Sequence, residues 1–406
     1  MPPKTTPTAS ASSQRQPQRQ PQSPTTTSTP TNNTTTTTTT TTTNTPDLDP
    51  STLCAFENAA AGHDGVLSDP SGLLVIKPCT AAEIGFYEDA VARHEELAMY
   101  MPTFMGTLRL NGNTVPQAIP TPTPTPTPTT PNPTILRGKK LNTDTSIVLE
   151  NVASGFLRPN VMDVKLGSRL WDDDAPMEKR ERLDKVARET TSGSLGFRVA
   201  GMRVWVGEGE DEVDPSHTHL DHATGYKTYN KLYGRSFSAD NILAAFRDYL
   251  RLPPPPSSSH QQESGTSKLA PTIPRRRATH ALECLDHLIA DVDAIRQALE
   301  EEESRMYSAS LLFVCEGDVE GYESAAESRS EQLGNRNQLV DDASDDSSTA
   351  PPKIALVRLI DFAHARWTPG EGRDENTLMG VREVERCLWG VREEVLGLLR
   401  HEVGGR

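Results

Sequence analysis

Residues 120–134 read PTPTPTPTPTTPNPT, and no helix or interior strand can pass through them. Almost every second residue lacks an amide hydrogen and has its φ held near −65°. A stiff surface loop over 118–134 is predicted, and whatever folds here must fold around it. Three other segments interrupt the chain. Residues 1–46 hold no Asp or Glu, three basic residues and an unbroken run Thr34–Thr43, so they have nothing to bury; a disordered tail over 1–50 is expected. Leu252–Arg277 opens on four prolines and runs through Ser, Gln and Gly, which predicts a disordered insertion at 252–277. Glu316–Ala350 holds 10 acidic and 2 basic residues, more than half of the chain's formal −15, and predicts another over 316–351. The acidity therefore belongs to solvated insertions and says little about the ligand. An apolar share of 34%, against the roughly 45–50% usual for folded domains, agrees that much of the 406 residues buries little.

What is left, on the order of 280 residues, suits one two-lobed domain. No apolar run approaches the roughly 18 residues of a membrane span. The N-terminus is Thr, Pro and Gln rather than basic then apolar, so no secretory signal is expected. Five scattered cysteines without a C-x-x-C pair fit a reducing compartment and exclude a zinc ribbon or disulfide framework. Strands are predicted at Leu73–Ile76, Thr145–Val152, Phe197–Val206, Ser310–Cys315 and Ile354–Ile360. Helices are predicted at Ala81–Met99, Met177–Thr191, Asp240–Leu250, His280–Glu303 and Glu383–Leu399. A small strand-rich N-terminal lobe (53–157) and a larger mixed C-terminal lobe (158–406) follow, with the cleft between them as the default ligand site.

Pro159–Gly167, PNVMDVKLG, sets Asp163 and Lys165 two apart, so on extended backbone both face one side. An acid beside an ammonium suits phosphoryl transfer: the lysine neutralises phosphate oxygens while the acid orients a hydroxyl. In Leu356–Ala365, LVRLIDFAHA, an apolar strand ends abruptly in Asp361, where a carboxylate is well placed to hold Mg²⁺ by oxygen. Lys77 closes a strand and Glu83 opens the next helix, similar to the strand-Lys to helix-Glu pair of kinase small lobes. Neither G-x-x-x-x-G-K-[ST], G-x-G-x-x-G nor H-R-D occurs, which excludes a P-loop enzyme, a Rossmann dehydrogenase and an ordinary protein kinase. His217–His222, HTHLDH, has metal-ligand residue types but no second ligand cluster, and reads as a loop. Arg275–Arg277 reads as a solvated charge run in a linker, so no direct nucleic-acid binding is expected.

Together these blocks resemble the inositol polyphosphate kinase family. PNVMDVKLG is similar to its P-x-x-x-D-x-K-x-G signature, Ser194–Trp205 (SLGFRVAGMRVW) to its SLGFR…GMxVY segment, and Ser310–Asp318 (SLLFVCEGD) to its SLL-x-x-YEGD strand. IDFAHA, Gly372-Arg-Asp-Glu-Asn376 and Gly380 resemble its ending, and Asn58–Gly65 and Glu83–Tyr87 its opening elements. The resemblance spans about residues 53 to 400 and departs from the pattern at Asn151 (often Asp), Cys315 (usually Tyr) and Arg373 (usually Pro).

The resemblance implies an α+β, two-lobed fold related to protein kinases and ATP-grasp enzymes, with ATP and Mg²⁺ between the lobes. Lys77 would bind ATP phosphates with Glu83 holding it, Glu150 and Val152 would form the adenine hinge, and Asp361 would coordinate Mg²⁺. Lys165 would bridge the transferred phosphate and the substrate, with Asp163 a ribose contact or a catalytic acid/base. Lys179, Arg182 and Lys185, on roughly one helix face, and His364 would bind the inositol phosphate. Lys227 and Arg235 lie in a further shared segment. The implied activity is phosphorylation of inositol trisphosphate to tetrakis- and pentakisphosphate, the multikinase type. A hexakisphosphate kinase or trisphosphate 3-kinase is the alternative within the family, and a transcriptional scaffold the alternative outside it. Phosphoinositide headgroups are candidate further substrates and transcription regulators candidate partners. A non-membrane protein of the nucleus and/or cytoplasm is expected.

Overall fold

The computed structural model describes residues 48–56, 60, 65–109, 143–207, 211–253, 275–336 and 353–404. Most of the expected tail, the Pro-Thr loop, most of Asn58–Gly65 and most of the Leu252–Arg277 insertion lie outside these residues. The N-terminal lobe is one antiparallel sheet with a helix against it. Its strands are β1 (Cys54–Ala55), β2 (Leu67–Ser68) and β3 (Leu74–Pro78), then α1 (Ala81–Arg93) and α2 (Glu95–Ala98), then β4 (Phe104–Arg109) and β5 (Thr145–Glu150). Spatial order is β1-β2-β3-β5-β4, so the apolar β5 is an interior strand pinned between β3 and β4. One helix was expected over Ala81–Met99. The chain makes two, because His94 leaves helical geometry (φ −133°, ψ 51°) while its amide still caps Ala90.

The C-terminal lobe is built on β6 (Pro159–Leu166). After it come α3 (Met177–Arg188), α4 (Thr191–Leu195), β7 (Phe197–Trp205), β8 (Thr218–Asp221) and β9 (Tyr226–Tyr229). Then follow α5 (Lys231–Arg235), α6 (Leu243–Tyr249), α7 (Arg275–Glu301), β10 (Ser304–Met306), β11 (Ser310–Glu316) and α8 (Val319–Arg336). β12 (Ala355–Ile360), β13 (Ala365–Trp367) and α9 (Glu375–Gly404) close the chain. The main sheet runs β12-β11-β6-β7-β9-β8, all antiparallel, with α6, α7 and α9 on its inner apolar face. Both lobes lie in one unit, Thr45–Arg406. Among the described residues no helix is long and apolar enough to cross a membrane.

Three predicted boundaries are corrected. The acidic segment does not leave the fold at Glu316: that side chain is buried, and its carboxylate accepts from the amides of Leu157 (2.7 Å), Arg158 (2.9 Å) and Asp318 (2.9 Å). The segment then continues as α8, whose Glu and Ala residues favour helix and whose Val319 and Tyr322 pack on the core. Arg275–Arg277 is the first turn of α7, not a linker, and Arg276 pairs with Glu320 and Glu323 of α8. HTHLDH is mostly strand β8, with His217 Nδ1 2.9 Å from Asp214. No group of three or more His, Cys, Asp or Glu is set to hold a metal among the described residues.

Much of the motif wording turns out to be joinery. The Asn376 carboxamide accepts from the amides of Ser168 (3.0 Å) and Arg169 (2.8 Å) and donates to the Arg169 carbonyl (3.1 Å), which holds the turn after β6. Asp374 caps α9 and accepts from the Met306 amide at 2.7 Å. Gly196, at φ +68°, touches Gly380 of α9 so closely that a Cβ on Gly380 would sit 2.2 Å from the Gly196 carbonyl oxygen. Alanine would gain about 1 kcal/mol of helix propensity at position 380. The clash, with a backbone atom that cannot swing aside, costs more. Gly380→Ala is expected to lose a net ~1–3 kcal/mol in a urea melt; an unchanged or raised midpoint would show that the two segments separate freely.

Candidate active site between the lobes

The Thr80 side chain caps α1 by accepting from the Glu83 amide at 3.2 Å, which fixes Glu83 in the first turn beneath the end of β3. Lys77 there lies 2.9 Å from Glu83 Oε1 and 2.7 Å from Asp361 Oδ1. The other Asp361 oxygen is 3.0 Å from Lys165 Nζ, which also donates to Ser310 Oγ (3.1 Å) and the Ser308 carbonyl (3.2 Å). The result is a continuous relay, Glu83–Lys77–Asp361–Lys165, assembled from both lobes. Burial alone would push the Lys77 ammonium down. The carboxylates of Asp361 and Glu83 outweigh it and hold its pKa above the ordinary lysine value.

Asp361 sits at the tip of β12 with φ +69°, a left-handed conformation that Asp tolerates better than most residues. Backbone of this kind collects at sites where a side chain must be aimed. Asp163 is 3% exposed, and its Oδ1 has no hydrogen-bond partner among the described residues; the same holds for Glu83 Oε2. A buried, unpartnered carboxylate oxygen typically costs on the order of 1–3 kcal/mol, so a function for it is the economical explanation.

These charges close the inner end of a slot walled by Val75, Leu149, Val152, Val161, Leu312 and Ile360. An apolar slot with cations and carboxylates at one end suits a nucleotide, base outward and phosphates inward. At the rim, the Glu150 carboxylate turns aside to Thr103 Oγ1 (2.7 Å), and its amide donates to the Thr103 carbonyl (3.0 Å). Any hinge contact by Glu150 is therefore one of its main chain. Asn151 is buried, donates to the Gly72 carbonyl (2.7 Å) and accepts from the Ala153 amide (3.1 Å). A carboxylate could not make the first of these bonds, so the amide at this departure from the family pattern has a structural reason.

On the far side of Lys165, β6 and β7 pair Lys165 with Arg198, placing both on one face of the sheet. Burial pushes the Arg198 guanidinium down to about 10; nearby Arg235 pushes the same way and Asp163 opposes it. Such a cation gains from an anion. Arg198 stands in the quoted SLGFR block, yet only the strand register reveals that it faces Lys165. His364 lies between Asp172 Oδ2 (2.5 Å from Nδ1) and Lys179 Nζ (3.4 Å from Nε2). The imidazole is thus held between a carboxylate and an ammonium.

Not all expected substrate residues gather. Arg182 is exposed on α3, and Lys185, also exposed, is 3.8 Å from Glu189. Lys227 points into a separate cavity, against Asp211 and the Glu212 carbonyl. Asp361 and Asp163 offer only oxygen ligands where they line the slot, and Asp163 Oδ1 has no partner among the described residues. That set fits Mg²⁺, which commonly takes one or two carboxylates plus phosphate oxygens and water.

Residues 146–388 match the family model described as inositol polyphosphate kinase. The chain is 33% identical over 365 aligned positions to inositol polyphosphate multikinase of Saccharomyces cerevisiae, covering 80% of this chain and 94% of that one. It is 28% identical over 271 positions to human inositol hexakisphosphate kinase 1, covering 61% of this chain and 53% of that one. Among solved structures it is similar to the crystal structure of an S. cerevisiae inositol phosphate multikinase in complex with ADP and Mn²⁺. That similarity has a TM-score of 0.53 and 28% identity, over 79% of this chain and 99% of that one.

Proposed function

Because the chain belongs to the inositol polyphosphate kinase family, we propose that it transfers the γ-phosphoryl group of ATP to inositol trisphosphate, yielding the tetrakis- and then the pentakisphosphate. The observation that carries this reading is the Glu83–Lys77–Asp361–Lys165 relay beside Asp163, whose Oδ1 has no hydrogen-bond partner among the described residues. The multikinase branch is favoured by a match running along 94% of the yeast multikinase, against 53% of the hexakisphosphate kinase.

In this mechanism Lys77 holds the nucleotide phosphates and Glu83 holds Lys77. Lys77 and Lys165 both lean on Asp361 in the described arrangement; as phosphate arrives, each ammonium turns from the carboxylate to a phosphate oxygen. Asp361 would then hold Mg²⁺ through its carboxylate oxygens, and the ion would supply charge neutralisation at the phosphates. Lys165 stabilises the negative charge on the moving phosphoryl group. The inositol hydroxyl oxygen attacks the γ-phosphorus in line, the bond to the β–γ bridging oxygen breaks, and Asp163 orients the hydroxyl and receives its proton. Lys179 and Arg198 bind the phosphates already on the ring, and His364 approaches the ring hydroxyls. The same reading puts the protein in the nucleus and/or cytoplasm.

The test is a panel of inositol 1,4,5-trisphosphate and inositol hexakisphosphate with purified protein, Mg²⁺ and ATP, products resolved by chromatography. Tetrakis- and pentakisphosphate are expected. Product from hexakisphosphate alone would move the protein to the pyrophosphate-forming branch, and turnover of neither would overturn the kinase reading in favour of a scaffold.

A further inference from the structure

Glu83 lies at one end of α1, a helix of 13 residues and thus roughly 20 Å long, and His94 lies just past the other. A phosphate-binding lysine positioned by such a helix is only as well placed as the helix itself. The His94 ring stacks on Trp367 of β13, centroids 3.5 Å apart and planes at 8°, while its Nδ1 meets Glu302 at 2.6 Å, one residue beyond α7. From the middle of α1, Phe86 stacks on the same Trp367 at 4.5 Å and 5°, and on Phe362 at 4.9 Å and 23°. Tyr87 meets the Phe362 ring edge-on at 5.2 Å. Phe362 directly follows Asp361. The far end of this column is itself anchored, because the Glu303 carbonyl accepts from the Thr368 amide (2.7 Å) and β13 pairs with β10. The buried Trp367 Nε1 has no hydrogen-bond partner among the described residues. A tryptophan that leaves its N–H unsatisfied is held for its ring, not for its donor.

We propose that Trp367, His94 and Glu302 are positioning residues that set the nucleotide-phosphate grip of Lys77 by clamping α1 onto the C-terminal lobe. The proposal rests on the reading of Lys77 as the phosphate-binding lysine. Without the clamp α1 swings, Glu83 leaves Lys77, and Lys77 is no longer held beside Asp361.

Calorimetric titration of the full chain with Mg·ADP tests this, with inositol 1,4,5-trisphosphate titrated in parallel. Trp367→Ala is expected to raise the Mg·ADP Kd about tenfold and leave the trisphosphate Kd within about twofold, with Trp367→Phe restoring most of the loss. In a Lys77→Ala background, Trp367→Ala should add less than about twofold, because its effect runs through the lysine already removed. Full additivity, or equal weakening of both ligands, would reduce the clamp to ordinary packing and overturn the proposal. A Lys77→Ala variant that binds Mg·ADP as the parent does would remove the underlying reading and the proposal with it. Should Trp367→Ala fail to fold, Glu302→Gln, which alters only the outer contact, and His94→Ala, which removes that contact and the ring stacked on Trp367, carry the same two titrations. Unchanged Mg·ADP binding in both would then overturn it.

Discussion

Asp361→Asn is expected to lower kcat by about a thousandfold or more with the backbone unaltered. Asparagine is the informative replacement because it tolerates φ +69° about as well as aspartate, whereas alanine would add backbone strain to the result. The amide keeps the volume but surrenders the charge that both Lys77 (2.7 Å) and Lys165 (3.0 Å) lean on and, in the proposed mechanism, a carboxylate oxygen for Mg²⁺. Losing two largely buried charge-assisted bonds should also lower stability by about 2–3 kcal/mol. The sign with pH is fixed by Lys77, whose pKa is raised in the fold. Its contribution is fully present below the ordinary lysine value and lost only as pH climbs through the folded one. The stability gap between parent and variant should therefore be flat from about pH 6 to 9. Steady-state turnover and urea melts check both parts; a variant keeping a tenth of parental kcat would take Asp361 out of the reaction.

Asp163→Asn should separate activity from stability. Its Oδ1 is buried and accepts no hydrogen bond among the described residues, so an amide of equal size breaks no bond there. Relief from burying a charge favours the variant, and loss of the attraction that opposes desolvation of Arg198 disfavours it. The two offset, and the unfolding free energy should stay within about 1 kcal/mol of the parent. Turnover is expected to fall about 10²- to 10⁴-fold, the usual worth of a positioned proton acceptor. Retained kcat with a loss of several kcal/mol of stability would make Asp163 a scaffold residue instead.

The chemistry-bearing residues were legible wherever they fell within a few residues of one another on regular backbone. Asp163 and Lys165 share a face because a strand has period two, and Glu83 lands under Lys77 because it is the third residue after the Thr80 cap, in the first turn of α1. The same local reasoning misjudged Glu316, assigned by charge to a solvated insertion although three main-chain amides surround it. It could not see Arg198 as part of the cleft, since register across β6 and β7 depends on two segments more than thirty residues apart. Nor could it separate Lys179, which reaches His364, from Arg182 and Lys185 on the same helix.

The sequence by itself determined the order of the elements, the family and the five motif blocks, because periodicity, capping and residue wording are properties of neighbouring residues. Only the tertiary structure decided that one carboxylate, Asp361, joins Lys77 from 284 positions away and Lys165 from 196, and that His94 and Trp367 clamp the helix behind them. Those contacts depend on how two sheets twist and how their lobes meet. Those angles are summed over many packed side chains, and no stretch of a few residues records them.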